Sequence, residues 1–510
     1  MRNETADVAI VGAGPTGLLL AIELVLGGAS VVVLDRLAAP DQTIKAGAMG
    51  ALAGEALERR GLGPNMDAEE RAMLDTVRAM AKSAGPEGEE LAKRLGKIGG
   101  HFAGLFLIDQ TRQREPHRRF RGVRQQALER ILGERVRVMG IDVRREQEVI
   151  DFRDDGHGVT LDVRTPQGTR TLRCAYLVGC DGGRSIVRKR AGFEFPGTDP
   201  TITGHQAIVE LDHPERLLPL GWRRTPVGMF AFGPVPGRIF VVQFDGPPPD
   251  RDAPITREEV EGALRRVSGA DVRITAMQTA TRFTDNARQA TEYRRGRVLL
   301  AGDAAHVHSP FGGQGLNLGL LDAVNLGWKL AATVRGWAPA ALLDTYTAER
   351  HGVAAAVLEN TRAQIALMRP DVFTTALRKI VSDIMALDEG NRFFGDMLSG
   401  LPTRYDLGSD DPRVGRLVAN LALSLPDGEA GLYSLMHEGT GLLVDGTGGA
   451  ASALAAPWSA RVRVVRVTAV SPASSLLVRP DGCIAWTGDG ADTAGLESAL
   501  ARWFGAPHSP

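Results

Sequence analysis

Residues 7–35 read DVAIVGAGPTGLLLAIELVLGGASVVVLD, two apolar runs separated by a glycine-rich turn and a leucine-rich segment. The runs at 7–11 and 31–34 are typical of buried parallel strands. Residues 18–26 are long enough and leucine-rich enough to form a helix, which two following glycines would end. This order predicts a β-α-β unit at the start of an α/β fold.

The turn in this unit has the spacing Gly12-x-Gly14-x-x-Gly17. The first glycine permits a tight turn, the second lets backbone approach a pyrophosphate, and the third lets helix and strand pack closely. Asp35 ends the second strand, where a carboxylate can accept hydrogen bonds from ribose hydroxyls. Together these features favour a dinucleotide site over a glycine-rich turn that binds nothing.

A second pattern with the same chemistry lies in the second half of the chain. Residues 297–306 read RVLLAGDAAH, a strand that ends at Asp303, and residues 310–317 read PFGGQGLN, a glycine-rich helix start. The acid can bind ribityl hydroxyls, and the helix N-terminus can face the negative edge of a reduced isoalloxazine ring. The two patterns together indicate an extended cofactor, FAD.

Three motifs resemble the signatures of the single-component flavoprotein hydroxylases, whose type is the para-hydroxybenzoate hydroxylase fold. They are Gly12–Gly17, CDGGRS at 180–185 and GDAAH at 302–306. YLVGCDGGRS at 176–185 and DAVNLGWKL at 322–330 are similar to the polyketide-tailoring branch, which includes angucycline, anthracycline and tetracycline hydroxylases and rifampicin monooxygenases.

The resemblance implies an α/β (α+β) fold of three parts. A Rossmann-like FAD-binding domain is expected over 1–200 and 270–400, with a helical insertion near 64–97. A β-sheet substrate domain is expected over 200–290. A thioredoxin-like C-terminal domain is expected over 405–510, and it lacks a C-x-x-C pair, so we assign it no redox chemistry.

The resemblance also implies a FAD-dependent monooxygenase. NADPH or NADH would reduce the flavin, and O2 would add to form a flavin hydroperoxide that hydroxylates an electron-rich aromatic, polyketide-type substrate. The cofactor carries this chemistry and the protein positions it. A flat aromatic substrate would stack on aromatic side chains of the 200–290 sheet.

Cofactor contacts are implied residue by residue. Thr16, Asp35 and Arg36 would hold the adenosine end, Lys45 and Gln125 would lie beside the flavin, and Val149 would touch adenine. The full set is Gly12, Gly14, Pro15, Thr16, Gly17, Asp35, Arg36, Lys45, Gln125, Val149, Asp181, Gly182, Asp303, Pro310, Gly313, Gly315, Leu316 and Asn317.

Three positions depart from the family pattern. Asp35 stands where glutamate is usual, and the shorter acid can still bind ribose. Arg124 stands where many members have proline, and Leu52 where many have arginine. Leu52 counts against a small carboxylated substrate. The 64–97 insertion is longer than the family pattern predicts and could modify a lid or a subunit contact.

Several residues have both a functional and a structural interpretation. His306 is a candidate catalytic base, but a side chain that caps the turn after Asp303 is the favoured interpretation. The candidate substrate residues could line an aromatic wall or form ordinary sheet core; they are Phe230, Phe232, Phe240 and Phe244. A basic run could be a solvated face or could attract a cofactor phosphate; it comprises Arg112, Arg114, Arg118, Arg119 and Arg121.

Composition excludes several classes of protein. The chain has 510 residues and a formal net charge of -1, which gives no general attraction to nucleic acid or anionic membrane. The apolar stretch from Val8 to Leu34 is broken by glycines, Pro15 and Glu23, so we expect no membrane span. Three scattered cysteines favour a reducing, cytoplasmic location, and no His and Cys set predicts a metal site. We expect a monomer or homodimer.

Alternatives to aromatic hydroxylation remain open at this point. The same flavin chemistry could attack a ketone in a Baeyer–Villiger oxygenation, form an epoxide, or inactivate a rifamycin-type antibiotic. A more distant alternative is a flavoprotein that sequesters a ligand without oxygenating it. A halogenase is disfavoured because the W-x-W-x-x-I motif is missing.

Overall fold

The computed structural model of the chain describes residues 4–83, 99–233, 235–467, 469–470 and 474–507. Over these residues, no helix has both the length and the apolar composition needed to cross a bilayer. The expected 64–97 insertion is helical from Gly63 to Ser83, and its remainder lies outside the described residues.

The helices differ widely in length. In chain order they are α1 (Pro15–Leu26), α2 (Ala51–Glu58), α3 (Gly63–Ser83), α4 (Gln125–Val138), α5 (Ile186–Arg190), α6 (Arg257–Ser268), α7 (Gly315–Val334), α8 (Thr345–Met368), α9 (Val372–Ala386), α10 (Asp388–Ser399), α11 (Ala450–Ala455) and α12 (Leu496–Phe504).

The strands fall into five sheets. In chain order they are β1 (Glu4–Val11), β2 (Val31–Leu34), β3 (Asp142–Arg144), β4 (Glu148–Asp154), β5 (Val159–Thr165), β6 (Gly168–Gly179), β7 (Gly197–Thr198), β8 (Thr203–Leu211), β9 (Gly221–Thr225), β10 (Gly228–Phe232), β11 (Arg238–Gln243), β12 (Ile274–Phe283), β13 (Ala287–Gln289), β14 (Arg294–Arg295), β15 (Val298–Leu300), β16 (His306–Val307), β17 (Ala422–Leu425), β18 (Gly428–Gly431), β19 (Gly441–Asp445), β20 (Val462–Arg466), β21 (Ala469–Val470), β22 (Ser474–Val478) and β23 (Ile484–Asp489).

The largest sheet contains the β-α-β unit predicted from the sequence. Its order is β14-β15-β6-β1-β2-β3, and β1 pairs in parallel with both β2 and β6. The antiparallel strands β4 and β5 extend it from β6. Helix α1 is apolar along nearly its whole length because it packs against α4 and α7 as well as the sheet. The carboxyl ends of β1, β6 and β15 therefore lie side by side.

The second sheet is the antiparallel sheet expected within 200–290. Its order is β12-β8-β11-β10-β9. Helix α6 covers one face with Val260, Leu264 and Val267. The other face turns toward the glycine-rich loop that precedes α7 and toward α9.

The C-terminal sheet has the order β20-β19-β22-β23. Strand β19 is parallel to β20 and antiparallel to β22, and β22 is antiparallel to β23. This arrangement, with α11 and α12 packed beside it, is thioredoxin-like, so the expected fold class is confirmed.

A buried ionic network joins this C-terminal sheet to α7 and α8. Glu349 accepts hydrogen bonds from Arg479 (2.7 Å) and from Lys329 (2.9 Å), and Arg479 also pairs with Asp481. Asn325 donates to both carboxylates. Burial lowers the pKa of Lys329 to about 8. Asn325 and Lys329 of the 322–330 motif are thus explained by packing of α7 and α8 against the C-terminal sheet.

The arginines of the basic run differ in burial: Arg118 is buried, Arg112 and Arg121 are half-buried, and Arg114 and Arg119 are exposed. Arg118 is buried and makes a bidentate pair with Glu55 of α2, with distances of 2.6 and 2.7 Å. Arg112 pairs with Asp388, Arg119 with Glu70, and Arg121 with Glu58. The solvated-face interpretation therefore fits Arg114 and Arg119, whereas Arg112, Arg118 and Arg121 are wholly or partly buried against carboxylates that are distant in the chain.

Candidate active site

In the glycine-rich turn after β1, two glycines lie against backbone atoms and a third faces open space. Gly12 has φ +107°, and a Cβ there would lie 2.3 Å from the Cys180 carbonyl oxygen. A Cβ on Gly17 would lie 2.0 Å from the Gly12 carbonyl oxygen. A Cβ on Gly14 would meet nothing within 4 Å. Gly14 is the N-cap of α1, so clear space lies where the helix N-terminus can receive a pyrophosphate.

Asp35 holds this turn in place. Its carboxylate accepts hydrogen bonds from Ala13 N (2.7 Å) and Leu37 N (2.8 Å), which leaves further lone pairs for ribose hydroxyls. Gln147 N donates to the Asp35 carbonyl, which brings the start of β4 beside it. Val149, on β4, is buried, whereas Arg36 is exposed.

The second motif lies directly against the first. Asp303 follows β15, and its carboxylate is exposed with no hydrogen-bond or ion-pair partner among the described residues. The neighbouring Gly302 has φ +62°, and a Cβ there would lie 2.9 Å from the Thr16 hydroxyl oxygen. A Cβ on Gly319 of α7 would lie 2.5 Å from the same oxygen. Thr16 is therefore placed where α1, Asp303 and α7 meet.

The loop before α7 carries unsatisfied polar atoms. Asn317 accepts from Gly50 N (2.7 Å) and donates to the Gly313 carbonyl (2.8 Å), which joins the start of α2 to this loop. Buried His308 Nε2 and Ser309 Oγ have no partner in the described part of the chain. Pro310 and Gly313 are exposed, while Gly315 and Leu316 are half-buried at the first turn of α7.

The loop that contains Lys45 contacts Gln125 at the start of α4. Gln125 N donates to the Ala46 carbonyl (3.0 Å), and the Gln125 amide donates to Glu129 (2.9 Å). Lys45 pairs with Asp41 at 2.8 Å. The loop that contains Lys45 thus runs along the N-terminus of α4.

The Asp181 carboxylate accepts a hydrogen bond from the start of the helix that follows it, α5. Its Oδ2 accepts from Ile186 N (2.7 Å) at the start of α5, and its Oδ1 is buried without a described partner. Burial raises the pKa of this carboxyl. Gly182, with φ +78°, has open space where a Cβ would stand.

His306, the candidate base, contacts a buried carboxylate. Its side chain is fully buried, and Nε2 lies 2.7 Å from Asp322 Oδ2. The same oxygen accepts from Gly302 N (3.0 Å), while Asp322 Oδ1 accepts from Arg350 Nε (2.7 Å). Asp322, rather than His306, therefore caps the turn, and these contacts favour a structural role for His306.

The four candidate substrate phenylalanines do not share a face. In the β10–β11 register Phe230 pairs with Val241 and Phe232 with Ile239, whereas Phe240 pairs with Ala231. Phe230 and Phe232 pack beneath α6, so the aromatic-wall interpretation is wrong for these two. Phe240 and Phe244 lie on the opposite face.

That opposite face carries an aromatic cluster that sequence reasoning largely missed. Ring centroids are 4.7 Å apart for Trp222 and Phe240, 5.0 Å for Phe240 and Phe283, and 5.8 Å for Phe240 and Phe311. Phe311 lies inside the PFGGQGLN motif, and this motif is a sequence feature that could have indicated the aromatic cluster. The aromatic cluster comprises His101, Phe106, Trp222, Phe240, Phe283 and Phe311.

His101 is the ionisable member of the aromatic cluster. Its Nδ1 accepts from Gly104 N at 3.2 Å, which leaves the neutral ring's proton on Nε2. Burial, with Arg378 nearby, lowers the His101 pKa to about 4. The His101 side chain is half-buried, and its Nε2 has no hydrogen-bond partner among the residues that the structure describes. Leu52, by contrast, is buried in the main core.

These features fit FAD. The open cradle at Gly14 suits a pyrophosphate, the free Asp303 carboxylate suits hydroxyl groups, and the orphaned atoms of His308 and Ser309 lie beside the start of α7. Within the described ranges, no group of three or more His, Cys, Asp or Glu side chains is placed to hold a metal ion.

Comparison with known proteins gives the same result. Residues 5–361 match the family described as FAD binding domain, and residues 411–507 match the aromatic-ring hydroxylase C-terminal family. The chain is 41% identical to the 12-dehydrotetracycline 5-monooxygenase/anhydrotetracycline 6-monooxygenase of Streptomyces rimosus subsp. rimosus, over 98% of this chain and 99% of that protein.

Two further relatives indicate the same family. A rifampicin monooxygenase of Streptomyces venezuelae is 38% identical over 98% of this chain and 99% of that protein. The solved structure of the anhydrotetracycline hydroxylase OxyS from Streptomyces rimosus is 40% identical, covers 99% of this chain and 100% of that chain, and superimposes with a TM-score of 0.85. The chain therefore belongs to the FAD-binding aromatic-ring hydroxylase family and is a FAD-dependent monooxygenase.

Proposed function

We propose that the protein hydroxylates a polycyclic aromatic polyketide, with NADPH or NADH as reductant and O2 as oxidant. One oxygen atom of O2 is added to a carbon of the aromatic ring, and the other is reduced to water. The nicotinamide donates the two electrons that this reaction requires. Reduced nicotinamide is a cytoplasmic reagent, so we assign the reaction to the cytoplasm. The named substrates of the tetracycline-type relatives support a fused-ring substrate.

The observation that carries this proposal is the position of Phe311. It belongs to the glycine-rich loop before α7, which forms one edge of the cofactor site, and its ring also packs on Phe240 and Phe283. The 41–47 loop is tied to the same sheet, because Thr281 donates to the Ile44 carbonyl at 3.3 Å. The aromatic cluster thus adjoins the cofactor site; Phe240 and Phe311 are buried within it, and the half-buried Trp222, Phe283 and His101 offer the parts that a flat substrate can contact.

When bound, FAD supplies the oxygen-transfer chemistry. The chain contributes binding and orientation: the N–H groups at Gly14 receive the pyrophosphate, and Asp303 accepts hydrogen bonds from the ribityl chain. The N-terminus of α7 places partial positive charge beside the flavin ring. The aromatic cluster excludes water from the reacting atoms and fixes the plane of the substrate.

His101 gives the site a polar anchor. With its pKa near 4, the ring is neutral at physiological pH and donates through Nε2. We assign this donor to a carbonyl or phenolic oxygen of the substrate. A flat ring held by stacking can rotate in its plane, and one hydrogen bond fixes that rotation.

The test compares two partly buried tryptophans. Trp222 belongs to the aromatic cluster, whereas Trp337 packs against Arg461, away from the cofactor site. In the Trp222→Leu variant we expect a higher KM and more NAD(P)H oxidised without product, since an aromatic contact contributes about 0.5–1.5 kcal/mol beyond burial. Trp337→Leu should keep wild-type coupling. Equal effects of both changes would show that the aromatic cluster is not the substrate site.

A rifamycin is the second candidate substrate, because a rifampicin monooxygenase is 38% identical to this chain. A panel of polycyclic phenols, small hydroxybenzoates and rifamycins decides between the two, with substrate-stimulated NAD(P)H oxidation and product mass as readouts. Oxygen gain by a rifamycin alone would move the role to antibiotic inactivation. Binding of a ligand without stimulated oxidation would instead indicate a sequestering protein.

A further inference from the structure

Helix α9 presents a row of apolar side chains to solvent. Its inner side contacts the core that contains Phe240 and Phe311, through buried Met385 and half-buried Val381. The residues of the outer row are exposed by 45% to 84%. We call this row the α9 seam; it comprises Phe373, Leu377, Ile380 and Ile384 of α9 and Leu387, which directly follows the helix.

The spacing of the α9 seam favours a helix as its partner. Its residues alternate in steps of four and three, which keeps them in a narrow stripe along one side of the helix. A helix that lies in a membrane surface has a broad apolar face with many basic residues beside it. Here Lys379 and Asp383 lie beside the seam and neutralise each other at 2.9 Å. This pattern fits protein more closely than anionic lipid.

The exposed area is large enough for a stable protein interface. Val372 precedes the seam and Phe393 follows it on α10, and both are also exposed. The five residues of the α9 seam expose roughly 600 Å², and Val372 and Phe393 add roughly 270 Å², taking about 200 Å² for each large apolar residue at full exposure. The largest apolar patch of a monomer is typically about 300–600 Å², whereas a standard interface buries about 800 Å² on each partner.

We propose that the protein is a homodimer in which the α9 seam packs against the α9 seam of a second copy. A two-fold interface uses the same patch on both subunits, so that patch must complement itself. An apolar row with a neutral flank meets this condition, because no charge needs an opposite charge on the partner. The contact holds α9 from outside while Arg378 holds it from inside, through a hydrogen bond to the Ala103 carbonyl (2.7 Å).

The first test is the oligomeric state. By sedimentation velocity at tens of micromolar, we expect the wild-type protein to be a dimer. The double variant Leu377→Glu/Ile380→Glu should be a folded monomer, because two uncompensated charges in the seam weaken association by on the order of 100-fold or more. Val138→Glu, at a comparably exposed apolar position on α4, is the control and should remain a dimer. A monomeric wild type, or a dimeric double variant, would overturn the proposal.

The second test locates the two-fold axis. Ile380 is the middle residue of the α9 seam, so it faces its own copy across the axis, and Ile380→Cys should form an intersubunit disulfide on mild oxidation. The wild-type protein is the control: Cys174 and Cys483 are buried and Cys180 is half-buried, so any cross-link that these native cysteines form appears there as well. A dimer in which Ile380→Cys does not cross-link would place the interface elsewhere and contradict the proposal.

A third measurement separates protein from lipid. Wild-type protein that stays monomeric and sediments with phosphatidylglycerol vesicles would make α9 a membrane-binding helix and refute the dimer. None of these experiments uses a substrate, so their outcome is independent of the proposed reaction.

Discussion

Substitution of Gly14 by alanine separates cofactor binding from folding. A Cβ on Gly14 meets nothing within 4 Å, and the backbone has φ -79° and ψ -177°, which alanine adopts without strain. Alanine is a poorer N-cap than glycine but restricts the unfolded chain more. These effects oppose each other, so we expect the stability of the FAD-free protein to change by less than about 1 kcal/mol.

The same methyl group occupies the space where the pyrophosphate approaches the start of α1. Loss of one charge-assisted hydrogen bond costs about 1.5–3 kcal/mol, which weakens FAD binding by roughly 10-fold to 100-fold. Gly17→Ala is the contrasting variant, since its Cβ would lie 2.0 Å from the Gly12 carbonyl oxygen. It should destabilise the FAD-free protein by about 1–3 kcal/mol or more.

The assay has two parts. Urea unfolding of the FAD-free proteins gives stability, and quenching of FAD fluorescence on titration gives the dissociation constant. A wild-type dissociation constant in Gly14→Ala would refute the assignment of this space to the pyrophosphate. An unchanged unfolding midpoint in Gly17→Ala would refute the packing argument.

Three further outcomes follow from the structure. Asp303→Ala, at an exposed position, should keep the fold but raise the FAD dissociation constant by about 10-fold to 100-fold, measured by the same titration. His101 has a folded-state pKa of about 4, below its ordinary 6.5, so the unfolded chain takes up the proton first. Stability is therefore lost as the pH falls from 6.5 to 4, by at most about 3 kcal/mol, and His101→Phe should flatten this part of a plot of unfolding free energy against pH. Glu349→Gln leaves the buried Arg479 and Lys329 short of one negative charge, and should lower the unfolding free energy by about 3–5 kcal/mol in urea.

Local patterns predicted the cofactor-binding framework well. The glycine turn, the strand before Asp35 and the strand before Asp303 each depend on a few consecutive residues, and the structure places all three at one edge of the main sheet. Short sequence motifs are enough to predict such a site, because helix N-termini and strand ends are local features.

Features that depend on distant partners could not be predicted. Which face of the sheet Phe230 and Phe240 occupy depends on how neighbouring strands pair. The sequence of one strand does not determine that register. The role of His306 depends on Asp322, one helix later, and Arg118 depends on Glu55 of α2. The domain boundaries at 200, 290 and 405 remain a prediction, as do the individual cofactor contacts.

The most direct test of the central claim is the origin of the oxygen in the product. Purified protein loaded with FAD is supplied with NADPH or NADH, a polycyclic phenol and ¹⁸O2, and the product is analysed by mass spectrometry. We predict that the phenol stimulates nicotinamide oxidation and that the product carries one ¹⁸O atom on the aromatic ring. Nicotinamide oxidation that no member of the substrate panel stimulates, with hydrogen peroxide as its sole product, would contradict the assignment.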